Sequence, residues 1–389
     1  MERSFYIISL RYAPGNWQHM QSFAGRLLQQ GCPVRFLISS DFRWMNETHT
    51  DITEYSPASN SVTGMLWDAL AFLWSGGVWY RKIFQNSPPS GLLLVMWHPL
   101  NYFLLRLVKR LYPDLPIIIW LHEPYKDEKR QYRLKAIVIC LIEWLQTLYL
   151  RYTDVVILHS QRALRLFESY YPEFNGLKRM IPLQFQDNCF GEPTARRYVS
   201  FLGRADRAKG IEIFFALIEK MAQDNLEGEF LIVTASNINS YLETLSSAAR
   251  QRLRVINKPK ISDQDLRETA ANSLAVLALY KETMQSGVIP VALMKGTPVI
   301  GTNIEGITEW IRDGETGVIV SANPSLAEIK EAITYIQTHF KEMSERCRAH
   351  YLATFDDRNW EREYGWFLEL LPARSGHRVN SRGVDNGCR

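Results

Sequence analysis

Near its start the chain runs strand, loop, helix, glycine, strand, an order that only a parallel sheet accommodates. SFYIISL (4–10) is an apolar strand, RYAPGNW a turn, and HMQSFAGRLLQQG (19–31) a helix. In that helix Met20, Phe23, Ala24, Leu27 and Leu28 recur at helical spacing, and Gly31 supplies the stop. PVRFLISS (33–40) is then a second strand. Strands joined through a helix lie parallel, because the crossover returns the chain to the same edge. GLLLVMW (91–97), IIIWL (117–121) and DVVILHS (154–160) repeat the short buried strand.

A second series opens after the polar connector MIPLQFQDN and GEPTARR. RYVSFLG (197–203) is its first strand, followed by a helix over 211–224, a strand at 229–235 and a helix over 240–250. RVINK (254–258), SLAVLAL (273–279) and TPVIGT (297–302) follow as strands. The fold class is therefore α/β, two Rossmann-like doubly wound domains facing across a cleft. The expected division is 1–185, 186–355, a crossover helix over 356–372 on the first domain, and a disordered tail at 373–389. Residues 41–89, rich in Ser, Asn, Pro and Gly, read as an irregular excursion forming part of the cleft wall.

Of 389 residues, 46% are hydrophobic and 22% charged, which excludes a disordered or fibrous chain. The net charge is +4, and the 373–389 tail carries four arginines against one aspartate, so the body is near neutral and gives no electrostatic case for nucleic acid. Five scattered cysteines without a C-x-x-C pair suit a reducing compartment and offer no zinc framework. The longest apolar run, 134–150, carries Lys135 and Glu143 and falls short of the ~20 residues of a bilayer span.

FLGRADRAKG (201–210) places Gly203, Arg204 and Lys209 between a strand's end and a helix opening at Gly210. Two cations beside free backbone N–H groups at a helix N-terminus complement a diphosphate. The same pattern also suits an ordinary loop with solvated charges. Further on, Glu282, Gln285, Ser286 and Gly287 precede an apolar helical run, and KGTPVIGT leads to a short helix opening at Glu305. Ser286 there is equally a plain N-cap and Glu282 a surface acid. His122, in IIIWLHEPY, ends a strand where it can reach a sugar hydroxyl or phosphate. His98 also ends a strand, with a packing role or an acceptor contact; His19 and His159 read as packing residues. Five cations and two acids in 126–135 lead into the apolar run 136–150, which suits either a buried helix or a membrane contact, and Trp67, Trp74, Trp79, Phe72 and Phe84 form a competing membrane or acceptor surface.

Together, FLGRADRAKG and KGTPVIGTNIEGITEWIRDGETG resemble the retaining glycosyltransferases of family 4, nucleotide-sugar-dependent enzymes of GT-B fold. APGNWQHMQSFAGRLLQQGCPV resembles the family's glycine-rich loop and first helix, with Gly15 and Gly31 in matching places and Asn16 where a second glycine is usual. The resemblance implies that Arg204 and Lys209 bind the donor diphosphate and that His122 contacts the donor sugar. It implies a donor site shared by Gly15, Asn16, Gly203, Glu282, Gln285, Ser286 and Gly287. The family's E-x7-E glutamates fall on Thr283 and Val291, neither acidic. Gln285-Ser286-Gly287 resembles a Gln-Ser-Gly variant whose donors can replace the first glutamate, and Glu282 lies one residue from that position.

The expected function is transfer of a hexose from a UDP- or GDP-sugar to a saccharide acceptor, lipid-linked, in polysaccharide biosynthesis. No metal and no cofactor besides the donor is implied. The expected place is the cytoplasm, at the inner face of the membrane. A nucleotide-sugar epimerase on the same fold, or an inactive GT-B subunit acting as a binding partner, are the alternatives.

Overall fold

A computed structural model describes residues 3–45, 53–124, 135–189 and 196–371. The 126–134 stretch and the 373–389 tail lie outside the described residues.

The first unit holds β1 (Ser4–Ser9), α1 (Trp17–Gln29), β2 (Val34–Ser39), β3 (Thr53–Ser56), α2 (Val62–Ser75), α3 (Val78–Asn86) and β4 (Pro89–Leu94). It continues through α4 (Leu100–Leu111), β5 (Ile117–Trp120), α5 (Lys135–Leu150), β6 (Val155–Leu158), α6 (Gln161–Tyr170) and β7 (Leu177–Met180). The strands form one parallel sheet in the order β3-β2-β1-β4-β5-β6-β7. The order reverses direction between β1 and β4, which opens a crevice at the strands' carboxyl ends. The central strands are buried along their whole length, as apolar runs covered on both faces must be.

The second unit holds β8 (Tyr198–Leu202), α7 (Ile211–Gln223), β9 (Glu229–Thr234), α8 (Asn239–Glu243), α9 (Ser247–Gln251), β10 (Leu253–Asn257), α10 (Asp263–Ala271) and β11 (Ser273–Ala278). Then come α11 (Val288–Met294), β12 (Val299–Thr302), α12 (Glu305–Thr308), β13 (Gly317–Val320), α13 (Leu326–Thr354) and α14 (Trp360–Leu370). Its sheet is parallel, in the order β10-β9-β8-β11-β12-β13. The chain returns to the first unit through α14. Phe367 stands edge-on to Phe5 at 5.2 Å, and Tyr364 meets Phe23 at 5.2 Å. At the crossing, Phe185 pairs with Asp356 as an isolated bridge, and Asp187 holds Arg348 and Arg358.

Four expectations change. The described residues of 41–89 are not irregular: they supply edge strand β3 and helices α2 and α3. Ser61 caps α2 by accepting from the Gly64 N–H at 3.1 Å, and Gly76, at φ 61°, ends it in the left-handed region. The single helix expected over 240–250 is two, because Thr244 donates to Tyr241 O at 2.7 Å and Ser246 starts a fresh cap. Leu28 is exposed rather than on the buried face of α1, which Met20, Phe23, Ala24 and Leu27 fill. β7 and β13 are further strands, short and at sheet edges.

Candidate functional site

The carboxyl ends of both sheets face one another across the cleft. On the first unit, β5 delivers His122, β6 delivers His159 one residue past its end, and α1 delivers His19. The His122 and His159 rings stack at 4.7 Å. His159 Nδ1 lies 2.8 Å from Ile181 O and His19 Nδ1 lies 2.6 Å from Gln184 O. A carbonyl only accepts, so both Nδ1 atoms carry the proton. Burial pushes His19 down to about 4 and His159 down to about 3, and holds His122 well below the usual imidazole range.

This cluster makes the fold acid-sensitive. Above the ordinary histidine value of 6.5 both folded and unfolded imidazoles are neutral, and nothing is lost. As pH falls below 6.5 the unfolded chain takes up protons that the folded state refuses until about 4 at His19 and about 3 at His159. At about pH 5, His19 and His159 should each cost about 2 kcal/mol of stability relative to neutral pH. Thermal midpoints measured from about pH 7.5 to about pH 5 should fall steeply; a flat profile would mean that the imidazoles are charged in the folded protein.

On the second unit, Gly203 turns the chain out of β8 at φ 91°. Asp206 then caps a 3-10 turn (Arg207–Lys209) by accepting from Lys209 N at 3.0 Å. Gly210, at φ 80°, starts α7. Arg204 is 70% exposed and paired with Asp206 at 2.5 Å, whereas Lys209 turns inward. Lys209 Nζ sits 3.7 Å above the Tyr280 ring and donates to Thr283 Oγ1 at 3.4 Å. Burial, reinforced by the nearby Arg204 charge, lowers its pKa to about 8, against the opposing pull of Asp206, Glu123 and Glu282.

Tyr280 directly follows the last turn of chain out of β11, and Lys281 N–H donates to Ala208 O at 2.9 Å, so the two loops are one surface. Ser286 is buried and shares a hydrogen bond with the Tyr280 hydroxyl at 3.2 Å. It is not the N-cap of α11: that position is Gly287, which has no side-chain cap. Glu282 is half-buried beside this loop. Val291, on α11, lies in the core, and Thr283 holds Lys209, so the two positions where the resemblance places glutamates serve packing and lysine placement.

The cleft is bridged. Gln285 Nε2 lies 2.7 Å from His122 Nδ1, with the amide donating, which leaves the imidazole proton on Nε2. His122 Nε2 and Gln285 Oε1 are both buried without a hydrogen-bond partner, one donor and one acceptor from opposite units. Arg162 donates to Thr283 O at 3.3 Å, and Gln161 N–H donates to Glu309 Oε1 at 2.8 Å. Gly15 is exposed in the loop before α1, where a Cβ would meet nothing within 4 Å, and Asn16 Nδ2 lies 3.1 Å from Met96 Sδ. His98 is fully buried, with Nε2 at 3.2 Å from Ser59 O and Nδ1 accepting from Leu100 N–H, which occupies both ring nitrogens.

The structure therefore gathers Gly203, Lys209, Glu282, Gln285, Ser286 and Gly287 on one rim and His122 on the other. His159, Tyr280, Thr283 and Arg162 join them, none of which motif reading singled out for the site. His159 and Tyr280 were findable, since each follows the carboxyl end of a strand as His122 does.

Residues 196–339 match a protein-family model described as Glycosyl transferases group 1. Over 144 residues the chain is 24% identical to the D-inositol 3-phosphate glycosyltransferase of Corynebacterium diphtheriae; the match takes in 35% of this chain and spans about a third (33%) of that relative. Among solved structures it is similar to sucrose-phosphate synthase from Thermosynechococcus elongatus, with TM-score 0.70 and 16% identity, covering 94% of this chain and 98% of that one. Anabaena HepE in complex with UDP gives TM-score 0.68 at 15% identity, covering 95% and 100%. A glycosyltransferase from Rickettsia africae gives 0.67 at 14%, covering 94% and 98%. The fold is GT-B, and its second unit carries the glycosyltransferase likeness.

Proposed function

We propose that the chain is a retaining glycosyltransferase of family 4 that moves a hexose from a nucleoside diphosphate sugar to a saccharide acceptor. Lys209 carries this reading: a half-buried ammonium, stacked on Tyr280 and bonded to a neutral hydroxyl, set at the mouth of a GT-B cleft. A diphosphate there supplies the anion that offsets its burial. Arg204 swings from Asp206 onto the same oxygens. As the glycosidic bond to the diphosphate breaks, the charge on the leaving oxygen is met by these cations, which are already in place. His122 Nε2–H and Gln285 Oε1 offer one donor and one acceptor to hydroxyls of the transferred sugar. The contacts from Arg162 and Gln161 to the second unit close the cleft and exclude water. Anabaena HepE is solved with UDP and with UDP-glucose, which makes a UDP-sugar the first donor to try. The acceptor we favour is a lipid-linked saccharide in polysaccharide assembly, reached by peripheral contact with the cytoplasmic face of the membrane.

Thermal stabilisation by UDP, GDP, ADP and their sugars tests the donor site. At about 100 times its dissociation constant the right nucleotide should add about 2.7 kcal/mol. Selective stabilisation by UDP, reduced in Arg204→Ala, is the expected result. Donor consumption that requires a saccharide acceptor separates transfer from epimerisation. Stabilisation by none of the nucleotides would sink the assignment in favour of an inactive binding subunit.

A further inference from the structure

The outer face of the first unit exposes an aromatic patch that a soluble surface has no reason to show. On α2, Trp67 (70% exposed), Leu70 (55%) and Trp74 (94%) recur at i, i+3 and i+7, with Leu73 (59%) beside them. The turn at Gly76 and Gly77 leads directly into α3, which adds Val78 and Trp79 at its first two positions, both exposed. Phe72, on the inward side of α2, packs against Tyr80 at 5.6 Å and Phe103 of α4 at 5.8 Å, so the patch is mounted on a fixed base rather than on a loose hairpin. Large contiguous apolar surface on an otherwise well-buried unit marks a contact site.

Charge identifies the occupant. Residues 62–112 contain five cations, Arg81, Lys82, Arg106, Lys109 and Arg110, against a single carboxylate, Asp68, although the chain outside its tail is near neutral. Lys109 is paired with Asp154 at 3.0 Å, which leaves the four arginine and lysine side chains at 81, 82, 106 and 110 for the patch. Arg81 and Lys82 are exposed on α3, immediately after the tryptophans. Arg106 and Arg110 are exposed on α4 and share the helical face of Phe103, the residue that touches α2. Asp68 is engaged, accepting from Ser59 N–H at 2.6 Å. Tryptophan and leucine at the centre with exposed arginine and lysine side chains around them is the composition of a surface that sits in the headgroup layer of an anionic bilayer. No helix among the described residues is long and apolar enough to cross a membrane, so the contact is interfacial.

We infer that α2 and α3 dock the protein on anionic lipid, with Trp67, Leu70 and Trp74 entering the interface and Arg81 and Lys82 meeting the headgroups. This docking stands independently of the donor reading: it needs no nucleotide and no turnover. The full chain should sediment with vesicles of phosphatidylglycerol and phosphatidylcholine, and far less with phosphatidylcholine alone. Trp67→Ser with Trp74→Ser should weaken binding by about tenfold or more, and Arg81→Glu with Lys82→Glu by roughly fivefold per cation lost, on anionic vesicles only. Both pairs are exposed, so the thermal midpoint should hold, which separates lost docking from lost folding. Absence of sedimentation with anionic vesicles would overturn the inference, as would unchanged binding by the tryptophan pair. Concentration-dependent dimerisation abolished by the tryptophan pair, without lipid binding, would assign the patch to a second copy of the chain instead.

Discussion

Lys209→Ala should weaken UDP binding by between tens-fold and thousands-fold while the fold persists. Truncating a buried, hydrogen-bonded charge that faces an anion costs roughly 2–5 kcal/mol, and Lys209, half-buried but fixed in place, falls within that range. Its ammonium is held by the Tyr280 face at 3.7 Å and the Thr283 hydroxyl at 3.4 Å, so it needs no reordering to meet a phosphate. Arg204 is exposed and already paired with Asp206, so Arg204→Ala should cost less, about tenfold. The wild type should also show a pH signature that the variant lacks. With its pKa at about 8 in the free protein, Lys209 is half deprotonated at that pH and mostly neutral above it, and a bound diphosphate restores the proton. Binding then takes up a proton, and affinity should fall by up to about tenfold per pH unit above about 8. Calorimetry in buffers of different ionisation enthalpy reads both the affinity and the proton. Equal affinity in wild type and Lys209→Ala would remove this loop from the donor site.

The frame of the molecule was legible because its parallel strands are continuous apolar runs, buried on both faces, with glycine or polar turns between them. What escaped has specific causes. α2 is apolar on nearly every face, so it shows no helical period, and only its Ser61 cap and Gly76 stop mark it as a helix. β3 and β7 are edge strands, and β7 (LKRM) is mostly exposed, so neither needed the apolar pattern by which strands are recognised. In the site, the residues of the 203–210 loop could be placed because they sit at fixed steps from a strand's end. The lysine's surroundings could not: Tyr280 and Thr283 are more than seventy residues away in sequence, and their identities say nothing of a cation until the loops meet. The same holds for the histidines. His19 and His159 read as packing residues one at a time, and only the fold shows that with His122 they form one neutral group under the cleft, in which each ring opposes protonation of the next. That Thr283 and Val291 stand where the resemblance places two glutamates also gains a physical sense. Near a lysine already lowered to about 8, a hydroxyl orients the ammonium without neutralising its charge, as the proposed diphosphate contact needs.

Gly210→Ala should remove donor binding and lower the thermal midpoint together, because this glycine is where the 203–210 loop and the core share an atom-scale contact. Its φ of 80° lies in the left-handed region, which costs an alanine roughly 1–2 kcal/mol. A Cβ built there would stand 2.3 Å from the carbonyl oxygen of Leu279. That oxygen belongs to the backbone leading out of β11 to Tyr280, so it cannot be cleared by a rotamer change, and relieving the overlap should add about 1–3 kcal/mol. A total of about 2–5 kcal/mol corresponds to a drop of roughly 5–15 °C in a domain of this size. The displacement also moves the residue next to Lys209 away from the loop that carries Tyr280 and Thr283, the two groups that hold the ammonium. Stability and binding should therefore fall as one. Gly15→Ala is the control for stability, since a Cβ there meets nothing within 4 Å and the midpoint should not move. Scanning calorimetry with and without UDP measures both quantities in one experiment. A Gly210→Ala protein that melts like the wild type and is stabilised by UDP to the same degree would show that the loop can relax away from Leu279 without loss, and that Lys209 owes its position to something other than this contact.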